Sequence, residues 1–360
     1  MKPINFGLMT VIKILGSLFL LIAGLYYART FLIPLAIAGL LAALFLPFCI
    51  WLEKKNINRV LAALLCILVF LLAIAGLLAL IGWQISELSE DFAVIKQRGT
   101  EAISSLQQYI YTHLGIPVTK QDEIMAGQKS GFSDMLALAA RSFTTVITSF
   151  ILMTVYIVLL LYYRTHIKDF LLMLVSAPQK KEVGLLIKNA THVSHQYLLG
   201  LTKMIVCLWI MYSICFSLVG IKNALFFAVL CGMLEIVPFV GNITGTTITV
   251  LVSAIHGASM GMLGGLILTY GIVQFIQGWV LEPLIVGPQV KINAFATIVS
   301  LVLGNLIWGI PGIILAIPLT GVLKIVCDQI EPLRPYGFLI GEVKASKPSG
   351  LHKYFTKFSK

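Results

Sequence analysis

Charge is what this sequence has least of. Of its 360 residues 59% are hydrophobic and only 11% charged, against roughly 25% charged in an ordinary soluble domain, and that shortage excludes a soluble globular fold. Acids are scarcer than bases, 15 against 26. Long stretches carry neither: 14–27, 30–52, 60–84 and 142–163 are free of charge, and from 204 to 290 only Lys222, Glu235 and Glu282 are charged. A helix crossing a bilayer needs about 20 mostly apolar residues, so most of the chain reads as membrane helix.

Other absences narrow the function. The six cysteines, Cys49, Cys66, Cys207, Cys215, Cys231 and Cys327, all lie in apolar runs without metal-ligand spacing, and read as small buried hydrophobes. No H-E-x-x-H, P-loop or G-x-G-x-x-G occurs, so no metal, cofactor or catalytic residue is expected, and ATP-driven transport would need another subunit. The N-terminal run lacks an Ala-x-Ala type site, and no cleavable signal peptide is expected. One fragment invites an enzyme reading: Gly257, Ser259 and Gly261 fit G-x-S-x-G beside His256. A nucleophile elbow needs a strand before the serine, and the surroundings are helical. His192 and His195 lie three apart on a helix, but no third ligand is in view.

The net charge of +11 does not indicate nucleic acid, because of where the charges fall. Segment 85–141 holds seven of the 15 acids and five of the 26 bases, leaving eight and 21 for the rest of the chain. Bases collect on the cytoplasmic side of membrane proteins. Lys54, Lys55 and Arg59, the stretch 164–203 and the tail 334–360 then mark the cytoplasmic face, with both termini on it and 85–141 exported. The tail is also placed to contact anionic lipid head groups.

The expected organisation follows. Residues 1–84 form three transmembrane helices, the first two joined by a tight hairpin at 29–34, since their combined length is nearly two crossings. Residues 85–141 form an exported helical insert, whose apolar residues Leu88, Phe92, Ile95, Ile103, Leu106 and Ile110 recur at helical steps, ending at Gly115 to Pro117. Residues 142–163 form a fourth crossing. Residues 164–203 form a cytoplasmic amphipathic linker, divided by Pro178 into helices at the interface. Residues 204–330 form a transmembrane transport region with broken helices, and 331–360 a basic cytoplasmic tail. The fold class is an all-α polytopic membrane protein, with about eight transmembrane helices and re-entrant helices in the C-terminal half.

The breaks in that half carry the functional reading, because half-helix ends expose backbone groups able to bind ions or polar solutes. Glu235 sits inside an apolar run just before Pro238, Gly241 and Asn242. An intramembrane acid is costly and marks a transport path, although a carboxylate at an interfacial helix end is the simpler alternative. Pro238 frees a backbone carbonyl, and Gly241 and Asn242 accept positive φ, so an unwound turn is expected beside Glu235. Glu282 with Pro283 and Gly287 repeats the Glu, Pro, Gly order with other spacing. Gly304, Gly309, Pro311, Gly312, Ala316 and Pro318 form a small-residue series suited to close packing or to a re-entrant hairpin tipped at Pro311 and Gly312.

Taken together, Glu235 to Gly241, Glu282-Pro283-x-x-x-Gly287 and Gly304-x-x-x-x-Gly309-x-x-Gly312-x-x-x-Ala316-x-Pro318 resemble the autoinducer-2 exporter family, the PerM-like permeases, over nearly the full chain. One departure lies at Ala294, where relatives commonly have proline. The resemblance implies a multi-pass protein of the bacterial inner membrane that exports small solutes, with autoinducer-2 as the founding substrate, while some relatives look like Na⁺(Li⁺)/H⁺ antiporters. The expectation is a secondary exporter using alternating access. Glu235, Glu282 and Asn242 handle solute or ion in it, and Pro238, Gly241, Pro283, Gly287, Gly304, Gly309, Pro311, Gly312 and Pro318 act as breaks and hinges. The expected partners are a small solute, Na⁺ or H⁺, the bilayer and further copies of the chain. The alternatives are an antiporter without organic substrate, a non-transporting membrane scaffold, and an intramembrane enzyme built on Ser259.

Overall fold

The structure is a computed structural model that describes residues 8–90, 104, 107–108, 110–113, 117, 119–120, 131–238 and 240–342. Its principal α-helices, in chain order, are α1 (Leu8–Tyr27), α2 (Arg29–Lys54), α3 (Arg59–Glu90), α4 (Gly131–Met173), α5 (Lys180–Val219), α6 (Ala224–Leu234), α7 (Val240–Ile255), α8 (Met260–Ile276), α9 (Gly287–Val290), α10 (Ala294–Trp308), α11 (Ile310–Gln329) and α12 (Arg334–Ile340). A π-helix, Gln277–Val286, continues α8. Among the described residues six helical segments are long and apolar enough to cross a membrane, and four apolar helices are shorter. The chain is an all-α polytopic membrane protein. Its large apolar side chains face outward freely, Phe19 at 72%, Leu284 at 71% and Leu306 at 70% exposed, as a protein solvated by acyl chains requires.

Two packed centres organise the bundle. In the first, α2, α3 and α4 meet over small residues, Ala38, Ala42, Ala62, Ala63 and Cys66, which let helix backbones approach closely where lipid offers no hydrophobic drive to association. Arg164 of α4 pairs with Glu53 at the end of α2. In the second, α5, α6 and α8 close over Leu208, Tyr212, Phe216, Phe227, Leu266 and Tyr270. Helix α5 touches both groups, and the ring nitrogen Nδ1 of His195 lies 3.2 Å from the Leu44 carbonyl of α2. That contact gives the histidine a packing role.

Helices α6 and α7, 11 and 16 residues long, are each shorter than one crossing. They pack against each other as a hairpin reversing after Leu234. Helices α10 and α11 form a second hairpin, and here the turn differs from expectation. The reversal is at Gly309, with φ +64° and ψ −140°, a conformation essentially reserved for glycine, while Pro311 and Gly312 already belong to α11. Gly312 faces Gly304 across the hairpin, and a Cβ on either would overlap the other's backbone carbonyl. Pro318 is buried within α11.

Three further expectations are corrected. The first two apolar runs do not fold back at 29–34: α1 bends into α2 at Ala28, whose N–H donates to the Gly24 carbonyl and whose carbonyl accepts from Leu32, both at 2.9 Å. Hydrogen bonding of the helical kind persists through the joint, so Arg29 and Pro34 lie in α2, and α1 leans on α10 through Trp308 Nε1 donating to the Leu25 carbonyl at 3.0 Å. Second, the helices of 164–203, divided at Pro178 as expected, are not confined to that segment. They are the end of α4 and the beginning of the 40-residue α5, joined by a 3₁₀ turn, Ala177–Gln179. Pro178 occupies the start of that turn, where its missing donor costs nothing. Third, the chain does not break at Pro283 and Gly287, as set out below. The segment expected to be an exported insert falls largely outside the described residues, as does the tail beyond 342.

Candidate functional site

The tip of the α6/α7 hairpin places Glu235. Helix α6 ends at Leu234, and residues 235–238 turn with short-range bonds, Ile236 N–H to Met233 at 3.2 Å and Val237 N–H to Leu234 at 3.0 Å. Pro238 brings no donor to this turn. Gly241 and Asn242 are not unwound. Neither has positive φ, and both belong to α7. Gly241 is needed for space, since a Cβ there would run into the Leu234 carbonyl.

Glu235 is buried, 6% exposed. Its Oε1 accepts from Gln277 Nε2 at 3.0 Å and from Gln274 Nε2 at 3.3 Å. Gln274 Nε2 also lies 3.1 Å from the Tyr212 hydroxyl and 3.2 Å from Gln277 Oε1. The donors recorded for Glu235 are therefore amides, not cations. Its Oε2 is buried with no hydrogen-bond partner, which is expensive for a carboxylate oxygen away from water.

The glutamines and Glu282 come from α8 and its π-helical continuation. Pro283 lies inside that π-helix; lacking an N–H, it cannot make the regular i→i−4 bond, and the wider π turn is a form common at functional sites. The helix therefore widens at Pro283 and continues through Gly287 into α9. The reversal comes at Lys291, which takes φ +51°. Asn293 then caps α10, its Oδ1 accepting from Ala296 N–H at 2.8 Å, and its Nδ2 donates to the carbonyls of Leu339 and Gly341, tying the end of α12 to the start of α10. Ala294 follows this cap as the first residue of an unbroken helix.

These elements enclose a cavity of about 290 Å³ lined by Glu235, Pro238, Asn242, Gln274, Gln277 and Glu282, with Tyr197 and Met204 of α5, Thr297 and Leu301 of α10 and Ile317 of α11 completing the wall. Glu282 is exposed and Asn242 half-buried. The structure thus brings Glu235, Glu282, Asn242 and Pro238 to one cavity. Gly241 and Gly287 stand behind it, in the first turn of α7 against the Leu234 carbonyl and at the start of α9. Gly304, Gly309, Pro311, Gly312 and Pro318 shape the neighbouring hairpin without lining the cavity. Gln274, Gln277 and Tyr197 do not stand out in the sequence. The signal available for the glutamines is two amides one helical turn apart in an otherwise apolar run. Ser259 does ordinary structural work, its hydroxyl accepting from Met262 N–H at 3.3 Å as the N-cap of α8.

A buried acid at the tip of a hairpin of short helices, amide-held on one oxygen and facing a cavity between interrupted helices, is an arrangement of membrane transport proteins. Comparison with known proteins agrees: the profile of the AI-2E family transporters matches residues 15–331, and the chain belongs to that family. It is 24% identical to YrrI of Bacillus subtilis (strain 168), over 85% of this chain and 88% of that one. It is 22% identical to YhhT of Escherichia coli (strain K12), over 94% and 96%; both are named as candidate transport proteins. TqsA of Escherichia coli (strain K12), named as an AI-2 transport protein, is 20% identical over 91% and 94%.

Proposed function

We propose that this transporter is a secondary exporter of a small solute, working by alternating access, with Glu235 as the residue that couples solute movement to an ion gradient. The observation that carries the reading is the buried Glu235 carboxylate, one oxygen held by Gln277 and Gln274 and the other unpartnered, on the wall of the cavity. In such a place a carboxylate can exchange a proton for a cation or for a donor group of a solute, since each satisfies the orphan oxygen. Glu282 and Asn242 supply further oxygen ligands on the same wall. The cavity has room for a small polar molecule, and the name of the relative TqsA supports autoinducer-2 as the first solute to test. In cells that make autoinducer-2 and lack their own exporters, the wild-type chain should raise the external signal and Glu235→Gln should not; equal export by the two overturns the coupling role.

The same polar set supports a second reading, a Na⁺(Li⁺)/H⁺ antiporter, because carboxylates and amide oxygens are the ligands hard cations take. The protein is placed in the bacterial inner membrane with both termini cytoplasmic, on the distribution of bases. Assembly into a homo-oligomer is part of the proposal. Gly264 and Gly271, seven apart on the exposed face of α8, have open space where a Cβ would point, room for a second helix to approach closely. Cross-linking in membranes that yields monomer alone contradicts it.

A further inference from the structure

A second cavity, about 90 Å³, lies at the opposite end of the α6/α7 hairpin from Glu235, where Lys222 ahead of α6 meets Ser253 and His256 near the end of α7 and Met262 of α8. Ser253 is 6% exposed, and its hydroxyl, which borders this cavity, has no hydrogen-bond partner. A buried hydroxyl left unsatisfied costs about 1–3 kcal/mol, unless the neighbouring space holds water.

From Ser253 a row of polar side chains leads back to the larger cavity. Asn242, Thr246, Thr249 and Ser253 follow at steps of four, three and four, the spacing that keeps side chains on one helix face. Asn242 borders the Glu235 cavity and Ser253 the smaller one, about 16 Å apart at the α-helical rise. Thr246 Oγ1 donates to the Asn242 carbonyl at 2.9 Å and is 3.3 Å from its Oδ1. Thr249, fully buried, donates to the Gly245 carbonyl at 2.7 Å and lies 3.4 Å from both the Cys231 thiol and the Tyr270 hydroxyl, which touch each other. Back-bonding to the preceding turn satisfies threonines in any membrane helix; it does not account for Ser253, or for a row with a cavity at each end.

We propose that the polar face of α7 is the second access route to Glu235, leaving toward the membrane face opposite the one that Glu282 approaches. Direction comes from α8 and its π-helical extension: Met262 borders the small cavity, Gln274 and Gln277 hold Glu235, and Glu282 and Val286 lie farther on. The Glu235 cavity thus extends one way along this helix, and the α7 row runs the other way. In the present conformation the route is shut at Thr249, Cys231 and Tyr270, as alternating access requires of one side while the other is open. The proposal rests on reading Glu235 as the coupling residue.

Native Cys231 reports on the route without transport being measured. Wild-type protein in proteoliposomes is exposed to a charged, membrane-impermeant methanethiosulfonate, and modification is followed by mass spectrometry, with the equally buried Cys66 as internal reference. Opening of the route makes Cys231 react about tenfold faster than Cys66, and Ser253→Leu, which fills the small cavity, brings Cys231 down to the Cys66 rate. Ser253→Val serves if the leucine protein does not elute as wild type. Cys231 reacting no faster than Cys66, or faster but indifferent to the plug, overturns the route. A Glu235→Gln protein that still transports overturns the coupling reading instead, and leaves the thiol rates to judge the route alone.

Discussion

A carboxylate oxygen left without a partner inside a protein is costly unless water, a proton, an ion or a ligand group meets it. Gln277 and Gln274 hold one oxygen of Glu235 and fix where the other lies. Gln277→Leu keeps the volume and removes the nearer donor; the expected result is weaker transport and a lower thermal midpoint in detergent, corresponding to about 1–3 kcal/mol. Ser259→Ala should leave transport unchanged and cost about 1 kcal/mol through the lost α8 cap, whereas an intramembrane serine enzyme would lose all activity. Glu235 is legible in the sequence because charge is so rare there. Its glutamine partners are not, because neutral amides do not stand out against an apolar run until the fold brings them within 3.3 Å of an acid. Nor is Lys291, a lysine in the left-handed region, where a glycine or proline signal would be sought.

At the scale of elements, the short α6/α7 and α10/α11 hairpins carry the C-terminal half, and each depends on a backbone approach that a methyl group would prevent. Gly312→Ala should force α10 and α11 apart and lower stability by about 1–3 kcal/mol, read as a fall in thermal midpoint larger than that of alanine at Gly264, where the space is open. The glycine and proline breaks reveal that these helices are interrupted. They do not reveal which breaks are turns and which are contacts: Gly309 turns, while Gly304, Gly312 and Pro318 pack. The bend at Ala28 is hidden for a related reason. Length alone suggests two crossings joined by a hairpin, whereas nothing at 27–29 forces a reversal and the local hydrogen bonds run on. Pro283 suggests a stop because proline removes one donor, but a π turn accommodates it.

At the scale of the molecule, two packed groups of helices are joined through α5, with the cavity on the α5, α8 and α10/α11 side of that joint. Arg164 and Glu53 hold the first group together with about a fifth of each side chain exposed. Removing one partner should destabilise more than removing both, by up to about 3 kcal/mol, measured as a double-mutant cycle of Glu53→Gln and Arg164→Met. The distribution of bases predicts that green fluorescent protein fused after residue 360 fluoresces and that alkaline phosphatase fused there is inactive; the reverse would invert the proposed orientation. Class and breaks are legible from composition, but the meeting of Glu235 with Glu282 is not, because it depends on how α7 and the π-helix converge.

The central claim is that Glu235 couples transport to an ion. Purified wild-type, Glu235→Asp and Glu235→Gln proteins would be reconstituted into liposomes containing a pH-sensitive dye, and proton flux recorded on adding Na⁺ or Li⁺, and then autoinducer-2. The account predicts flux in the wild type under at least one of these additions, reduced flux in the aspartate protein and none in the glutamine protein. Equal flux in wild type and Glu235→Gln would contradict it.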